Sequence, residues 1–417
     1  MKLKNIDYKL FFSVIALMIF WLVMISSVSV YGSFRVTSQL AGAWLIDQAY
    51  NHFYVLRSIS HFIIACIIIG FVSKVPYTFF EKYSYHIFWV SLLLLVAVLV
   101  VWWWHQWAQR WIDIPWIPLN IQPSEVIKFA IIVFLAAFFK KYSHVIHKLK
   151  EWFIPFMAVI GIVFILLALQ PDFWAILIVV PVAFMMYFLA WANIRYLLLM
   201  FVLWLVLALS VYSAWDYDRE TWRNLNNLWY ITQRIDNFLE NKQDAIENNR
   251  LHYQTEQALI AIWSWWFTGL WFWNSVQKFW YLPEVQWDFI FSVIVEELWF
   301  IWALFLLMLY LYVFYRWMMI SRYSVDSFAS YTAAWISSWI FLQACINIWV
   351  NLNIVPLTWI TLPFISYWGS SMISIAFWVA VLLSISRYID EDHYNKKWKR
   401  KNRISLRQLL SKYKRIS

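Results

Sequence analysis

The amino-acid sequence predicts an all-α integral membrane protein with about ten transmembrane helices. Of its 417 residues, 63% are hydrophobic and 13% are charged, and the mean hydropathy is +0.62. Soluble domains are typically about 45–50% apolar and about 25% charged. A helix that crosses a bilayer needs about 20 mostly apolar residues. Ten segments meet this requirement, namely residues 9–31, 53–73, 84–104, 122–140, 152–170, 173–191, 194–214, 288–315, 327–350 and 364–387.

Basic residues in the short loops predict how these helices are oriented, because short cytoplasmic loops are enriched in Lys and Arg. Such residues occur in residues 1–9, in the loop with Lys74 and Lys82, in residues 140–150, in the Arg316–Arg322 loop and in the tail after Arg387. All five regions fall on one side of the predicted bundle, so we expect both termini to be cytoplasmic. The N-terminal apolar run has no small-residue cleavage site, and we expect it to be retained as the first helix.

This layout predicts two regions. Residues 1–392 form a polytopic membrane domain, in which residues 215–288 are a large extracytoplasmic loop between the seventh and eighth helices. Residues 393–417 form a basic cytoplasmic tail. The stretch from Arg387 to Ser417 carries 11 Lys and Arg against 3 Asp and Glu, in a chain with a net charge of +10. We expect it to lie on anionic membrane lipids, with docking of a partner as the alternative. Nucleic acid is not expected, because no folded binding module accompanies the charge.

Few patterns in the chain are typical of familiar active sites. Cys66 and Cys345 lie in separate apolar runs, which predicts neither a disulfide framework nor a metal cluster. A phosphate-binding glycine loop, a zinc-ligand spacing and a serine-nucleophile elbow are all missing from the sequence. Ionisable groups at membrane depth are costly and usually functional, so they are the candidates. They lie at the outer ends of the predicted helices and are Arg110, Glu125, Lys128, Asp172, Asp288, Glu296 and Glu297.

Asp288 is the strongest of these candidates. It stands where a polar loop becomes an apolar helix, and Glu284 precedes it by four residues, on the same face if the turn is helical. Two neighbouring carboxylates ionise at different pH, which suits one of them to act as a general base. The alternative is an N-terminal helix residue that the helix dipole favours.

The other candidates have structural alternatives as well. Glu125 and Lys128 are three residues apart and share a helix face, so they form either part of a site or an ion pair that ties helices together. Asp172 is expected to cap the sixth helix. The segment FISYWGSSM offers three serine hydroxyls, which either bind a phosphate or cap the helix that follows.

Five segments resemble signature motifs of a single family: NIQPSEVIK, QPDFW, SVQKFWYLPEVQWDFIF, EELWFIWAL and LTWITLPFISYWGSSMISI. They resemble, in this order, motifs of the SEDS family of peptidoglycan polymerases, which is named for shape, elongation, division and sporulation. Within the FtsW/RodA type, the NSVQK motif is more similar to the division branch than to the elongation branch. The resemblance implies a glycosyltransferase that polymerises lipid II into β-1,4-linked glycan during cell division or cell-shape maintenance. It would act at the outer face of the inner (cytoplasmic) membrane.

The resemblance also assigns roles to individual residues. Asp288 matches the catalytic aspartate of the family's (T/S)DFIF motif, although Trp287 replaces the preceding hydroxyl residue, and it would deprotonate the acceptor sugar. The donor would be the growing glycan on undecaprenyl pyrophosphate. Substrate-binding residues carried over by this match are Arg110, Gln122, Ser124, Glu125, Lys128, Lys278, Glu284, Ser370 and Ser371. No metal ligands and no cofactor are firmly implied, and a divalent cation at the pyrophosphate is left open.

The resemblance further implies a class B penicillin-binding protein as partner, which would supply the transpeptidase, and contacts with other division proteins. The rival function is a lipid-linked sugar flippase. A flippase should need charged residues throughout the membrane depth, whereas the candidates cluster at the outer ends of the helices, and this favours the enzyme. A catalytically inactive scaffold is a third alternative, against which the intact Asp288 and QPSE motif argue.

Tryptophan and glycine occur in anomalous numbers. The chain has 33 Trp and 6 Gly, whereas average usage would give about 29 Gly. The family that the motifs resemble has glycine in IAIGSGG, GLGxGNSVQK, QPDxG, EELGxxG and SYGGSS, where this chain has tryptophan. The positions concerned include Trp174, Trp263, Trp265, Trp266, Trp271, Trp273, Trp299, Trp302 and Trp368. We hypothesise that UGA codons encode glycine in the source organism and were translated here as tryptophan.

Overall fold

The structure, a computed structural model, describes residues 6–105, 112–113, 120–145, 148–170, 172–189, 194–217, 234, 238, 250–264, 269–279, 281–283, 285–324, 326–358 and 360–389. Its helices are α1 (Tyr8–Val28), α2 (Val30–Gly42), α3 (Phe53–Val72), α4 (Tyr77–His105), α5 (Pro123–Lys141), α6 (Ile154–Leu169), α7 (Phe173–Leu189), α8 (Ile194–Tyr217), α9 (Arg250–Ser264), α10 (Ile290–Tyr323), α11 (Ser327–Asn351) and α12 (Gly369–Ser386). Two short strands, β1 (Ile112–Asp113) and β2 (Asn120–Ile121), pair antiparallel with Ile112 opposite Ile121. The predicted all-α fold class is confirmed.

The helices are those of a multi-pass membrane protein. Within the described ranges, seven helices are long and apolar enough to cross a membrane, and α7 and α8 contain shorter apolar helices. Every one of the ten predicted segments overlaps one of the helices α1, α3–α8 and α10–α12. Many of their large apolar side chains face outward, where lipid would cover them. The number of spans and their orientation stay predictions.

The structure differs from the predicted layout in four places. α1 ends at Val28, and a second helix follows Ser29. α10 was expected to end at residue 315, but it continues to Tyr323, and Arg316 in this additional part pairs with Asp7.

The other two differences lie in the outer segments. α12 begins at Gly369, five residues later than expected, because Ser366 Oγ closes a turn on the Leu362 amide. The large outer loop was not expected to contain a helix, but α9 lies within it.

Two helices form the centre of the bundle. In α11 and α12, 78% and 72% of the residues in the apolar stretch are buried inside the protein. α10 packs along α11, and α3 packs along α12. The non-helical residues 285–289 precede α10 and the non-helical residues 357–358 and 360–368 precede α12, so both lead into this central group.

A single residue interrupts α10. Trp299 has φ 72° and ψ 159°, which is not helical, while the residues before and after it are. Residues 290–298 of α10 therefore form a short part that a kink separates from the longer part, residues 300–323.

The turn between α6 and α7 was predicted correctly. Asp172 Oδ1 accepts a hydrogen bond from the Ala175 amide at 3.3 Å, which is the geometry of an N-cap. This confirms that Asp172 caps the sixth of the predicted spans.

Candidate functional site

Asp288 lies two residues before α10 and is 6% exposed. Its backbone carbonyl accepts hydrogen bonds from Asn347 Nδ2 at 3.1 Å and Asn351 Nδ2 at 3.0 Å. Asn351 Oδ1 in turn accepts from the backbone amide of Ser292 at 3.2 Å and from its hydroxyl at 2.7 Å. The start of α10, with the candidate base, is thus tied to the central helix α11.

The first turn of α5 places a charged pair beside α11. Lys128 Nζ donates to Glu125 Oε1, and the two side chains are 8% and 12% exposed. The ammonium also lies over the Trp339 ring, 5.6 Å from its centroid, where the ring quadrupole attracts a cation. Of the two alternatives, the ion pair is present in this structure. A role in binding substrate stays a prediction.

Polar contacts continue from this pair toward α12. Trp339 Nε1 donates to Gln343 Oε1 at 3.2 Å, and Gln343 Nε2 donates to the carbonyl and hydroxyl of Thr361 at 3.1 and 3.0 Å. The Thr361 and Ser371 hydroxyls are 3.4 Å apart. Trp339 and Gln343 therefore connect Lys128 to the N-terminal turn of α12.

The other end of this connection is the candidate base. Asn347 Nδ2 donates to the Ile360 carbonyl at 2.8 Å as well as to that of Asp288. The segments that precede α10 and α12 are therefore held by the same helix face. Asn347 thereby holds the Asp288 backbone to Ile360, the residue next to Thr361, whose hydroxyl lies near Ser371.

The remaining predicted residues of this group are close in sequence to these polar contacts. Gln122 is the N-cap residue of α5 and makes no side-chain cap bond, and Ser124 is buried. Ser370 lies in the first turn of α12, where its carbonyl accepts from Ser374 Oγ at 2.9 Å. Gly369 allows close packing there, because an added Cβ would lie 2.4 Å from the His61 ring of α3. Arg110 and Glu284 lie outside the described residues.

Lys278 is bound to groups of the protein itself in this structure, and its predicted contact with substrate stays a prediction. Its ammonium donates to Glu297 Oε1 at 2.8 Å, to Ser27 Oγ at 2.9 Å and to the Trp273 carbonyl at 2.6 Å. The Lys278 and Glu297 side chains are 1% and 0% exposed. All three N–H donors of the ammonium are used, so Lys278 fastens the turn 273–278 to α10 and α1.

The neighbouring glutamate holds the same turn. Glu296 accepts from Ser275 Oγ at 2.5 Å and from the amides of Val276 and Gln277 at 3.0 and 3.3 Å. Glu296 and Glu297, which are adjacent on α10, therefore both accept hydrogen bonds from the turn 273–278. We call Ser27, Ser275, Lys278, Glu296 and Glu297 the buried charge cluster.

Sequence reasoning missed the amides of α11 and one arginine. Gln343, Asn347 and Asn351 are spaced by four residues in an apolar helix, and that spacing is the signal that would have found them. Arg234, within the large outer loop, is 2% exposed and donates to the Leu357 carbonyl at 2.7 Å. Nothing in its sequence context distinguishes it from the other basic residues of the loop. Among the described residues, no group of three or more His, Cys, Asp and Glu could hold a metal ion.

Comparisons with known proteins agree with this architecture. A chain from a solved structure described as the structural coordination of polymerization and crosslinking by a peptidoglycan synthase complex superimposes with a TM-score of 0.67. It is 22% identical, with coverage of 92% of this chain and 99% of that one. The rod shape determining protein RodA of Thermus thermophilus gives a TM-score of 0.61 at 21% identity, with coverage of 92% and 98%.

Sequence comparisons extend over most of the chain. A protein of Coxiella burnetii named probable peptidoglycan glycosyltransferase FtsW is 30% identical over 304 residues, 71% of this chain and 76% of that protein. A protein of the same name from Legionella pneumophila is 31% identical over 345 residues, 80% of this chain and 79% of that protein. The family model for cell cycle proteins of the FtsW, RodA and SpoVE type matches residues 8–391. The chain therefore belongs to the FtsW/RodA/SpoVE family, as its sequence motifs predicted.

Proposed function

We propose that this protein is a peptidoglycan glycosyltransferase that polymerises lipid II into β-1,4-linked glycan, with Asp288 as the general base. The observation that carries the proposal is a buried carboxylate residue at the entrance to α10 whose backbone is fixed by two side chains of α11. A general base must be held in place to act efficiently. The names of the curated relatives support the same activity.

The proposed reaction uses few groups of the protein. The 4-hydroxyl of the incoming lipid II sugar gives its proton to the Asp288 carboxylate while its oxygen bonds to the anomeric carbon of the growing glycan. The bond from that carbon to undecaprenyl pyrophosphate breaks, and the pyrophosphate keeps the electron pair. Attack from the opposite side inverts the anomeric centre and forms the β linkage.

Cations would stabilise the leaving pyrophosphate. Lys128 is the described candidate, since the Trp339 ring and Glu125 hold its ammonium at the first turn of α5. Arg110 is the second candidate by its motif. We propose no residues that would bind a divalent cation at this place.

We also propose a partner for this enzyme and its location in the membrane. The similarity in fold to a chain of a peptidoglycan synthase complex supports a penicillin-binding protein as partner. The active site would face the outer side of the inner membrane, with the tail 393–417 on the cytoplasmic lipid surface.

Purified native protein, reconstituted in vesicles with its penicillin-binding protein and labelled lipid II, would test the activity. We expect glycan chains on a denaturing gel that a muramidase digests. If label instead becomes accessible to a membrane-impermeant reagent on the opposite side without forming polymer, the protein is a flippase and the proposal is wrong.

A further inference from the structure

One face of α11 carries a row of three buried amide side chains. Gln343, Asn347 and Asn351 are spaced by four residues, which places them one above another on a helix. They are 5%, 1% and 0% exposed. A buried amide is costly unless it is hydrogen-bonded, so each of them needs partners.

These partners are carbonyls of non-helical backbone. Gln343 donates to Thr361, Asn347 to Ile360 and Asp288, and Asn351 to Asp288. Irregular backbone at membrane depth is tolerated only where protein groups or water satisfy it. The row therefore supplies hydrogen bonds to the segments that precede α10 and α12.

Asn351 makes the most specific of these contacts. In a continuous α-helix the Ser292 amide would donate to the Asp288 carbonyl, four residues earlier. Here the Asn351 side chain bridges the two groups, donating to the carbonyl at 3.0 Å and accepting from the amide at 3.2 Å, while the amide also donates to the Phe289 carbonyl at 3.1 Å. The Asp288 backbone is thus held from two directions, because Asn347 donates to the same carbonyl.

We infer that Asn351 and Asn347 are positioning residues for the candidate base. The inference rests on the proposed function, because it assigns them to the Asp288-dependent step. A displacement of about 1 Å at a reacting group can cost about 10²-fold in rate. Loss of the Asn351 bridge should therefore lower kcat and leave the KM for lipid II nearly unchanged.

The test compares Asn351→Leu with the parent in the polymerisation assay. We expect kcat to fall by about 10²-fold. Asn351→Asp keeps an acceptor for Ser292 but loses the donor to Asp288, and it should be impaired as well. Ser337→Ala is the matched control, since this buried serine of α11 bonds only within its own helix, to the Ala333 carbonyl.

A second measurement separates positioning from a merely structural role. Asn351→Leu combined with Asp288→Asn should be no slower than Asp288→Asn alone, because residues that act as a unit are not additive. An equal further loss in both backgrounds, or a kcat of Asn351→Leu equal to that of the parent, would overturn the inference. An inactive parent would instead refute the proposed function.

A different observation concerns the tryptophans. Six non-glycine residues in the described part of the chain have positive φ, and four of them are Trp44, Trp271, Trp273 and Trp299, at 62°, 71°, 77° and 72°. Positive φ brings Cβ of an L-residue close to backbone, and glycine is the usual occupant. Burial does not explain the tryptophans there, because Trp44 and Trp271 are 95% and 70% exposed.

The end of α2 shows the mismatch most directly. The Leu45 amide donates to the Leu40 carbonyl and the Trp44 amide to that of Ala41. These two bonds define a Schellman motif, which normally has glycine, or sometimes asparagine, at the position of Trp44. α11 ends with the same bonds and has Asn353 there, at φ 54°.

The backbone conformation at Trp299 is restricted to glycine more strongly still. Its φ of 72° and ψ of 159° fall in a region that is essentially restricted to glycine. A Cβ added to Gly269 would lie 2.0 Å from Cδ1 of Trp299, so the backbone at 269 already approaches the indole closely.

We propose that the native protein has glycine at 44, 271, 273 and 299. A UGA codon that encodes glycine in the source organism and was translated here as tryptophan would account for all four. It would also account for the counts of 33 Trp and 6 Gly. Trp339 should be a genuine tryptophan, since it is buried within a regular helix and its indole donates to Gln343.

Peptide mass spectrometry of the protein from its own organism, together with the coding sequence, tests this proposal. We expect UGA and glycine at the four positions, and UGG and tryptophan at 339. Tryptophan in the native peptides at the four positions would overturn it. In the recombinant chain, Trp299→Gly should raise the thermal unfolding midpoint, whereas Trp339→Gly should lower it.

Discussion

Asp288→Asn should slow glycan polymerisation by orders of magnitude and leave the protein folded. Asparagine has the same shape as aspartate and keeps the backbone carbonyl that Asn347 and Asn351 bind, but it cannot accept the proton of the acceptor hydroxyl. General-base catalysis contributes about 10²–10⁴-fold to a rate, so we expect a loss within that range. The measurement is the rate of glycan chain formation from lipid II, with the thermal unfolding midpoint as a check on folding.

Asp172→Asn is the matched control for this prediction. Asp172 is also a buried aspartate next to a helix N-terminus, where its carboxylate accepts from Ala175. Asparagine caps helices about as well as aspartate, so this variant should keep both fold and activity. Equal polymerisation by the parent and Asp288→Asn would show that another group is the base.

The largest effect on stability is expected from Lys278→Met. The substitution leaves Glu297 buried beside Ser27 without its cation, and breaking a buried ion pair costs about 3–5 kcal/mol. The turn 273–278 would also lose the bond from the ammonium to the Trp273 carbonyl. We expect a large drop in the thermal unfolding midpoint in detergent and a lower yield of folded protein.

An exposed pair of the same kind provides the comparison. Lys148 and Glu151 are 2.8 Å apart, and their side chains are 59% and 54% exposed. Exposed pairs contribute about 0–1 kcal/mol, so Lys148→Met should unfold almost as the parent does. Lys278→Met combined with Glu297→Gln should be less unstable than Lys278→Met alone, since it removes the unpaired charge. If the two single lysine variants are equally stable, the buried charge cluster is not a stabilising element.

The apolar helices could be predicted from sequence because their signal is local. A run of about 20 apolar residues identifies a span whatever surrounds it. Helix ends depend on distant contacts. The part of α10 past residue 315 contains Arg316, whose partner Asp7 is 309 residues away in the chain.

The residues of the candidate site likewise fall into those that the sequence predicted and those whose role depends on the fold. Asp288, Glu125 and Lys128 were found because charge at membrane depth is rare and conspicuous. The amides of α11 carry no charge, and their partners come from other segments, so their role depends on the fold. Lys278 was predicted from the family resemblance, and its burial against Glu297 and Ser27 was not visible in the sequence.

We expect the break in α10 at Trp299 to make the position of the candidate base independent of the thickness of the bilayer. The part of α10 after the break, residues 300–323, is about 36 Å long at 1.5 Å per residue, enough to cross a hydrocarbon core of about 30 Å. A spanning helix adapts to thinner or thicker bilayers by tilting. Asp288 precedes the short outer part, which Glu296, Glu297 and Asn351 fasten to the rest of the protein. We therefore expect tilting of the long part to be absorbed at residue 299, with the geometry around Asp288 preserved in membranes of different lipid composition.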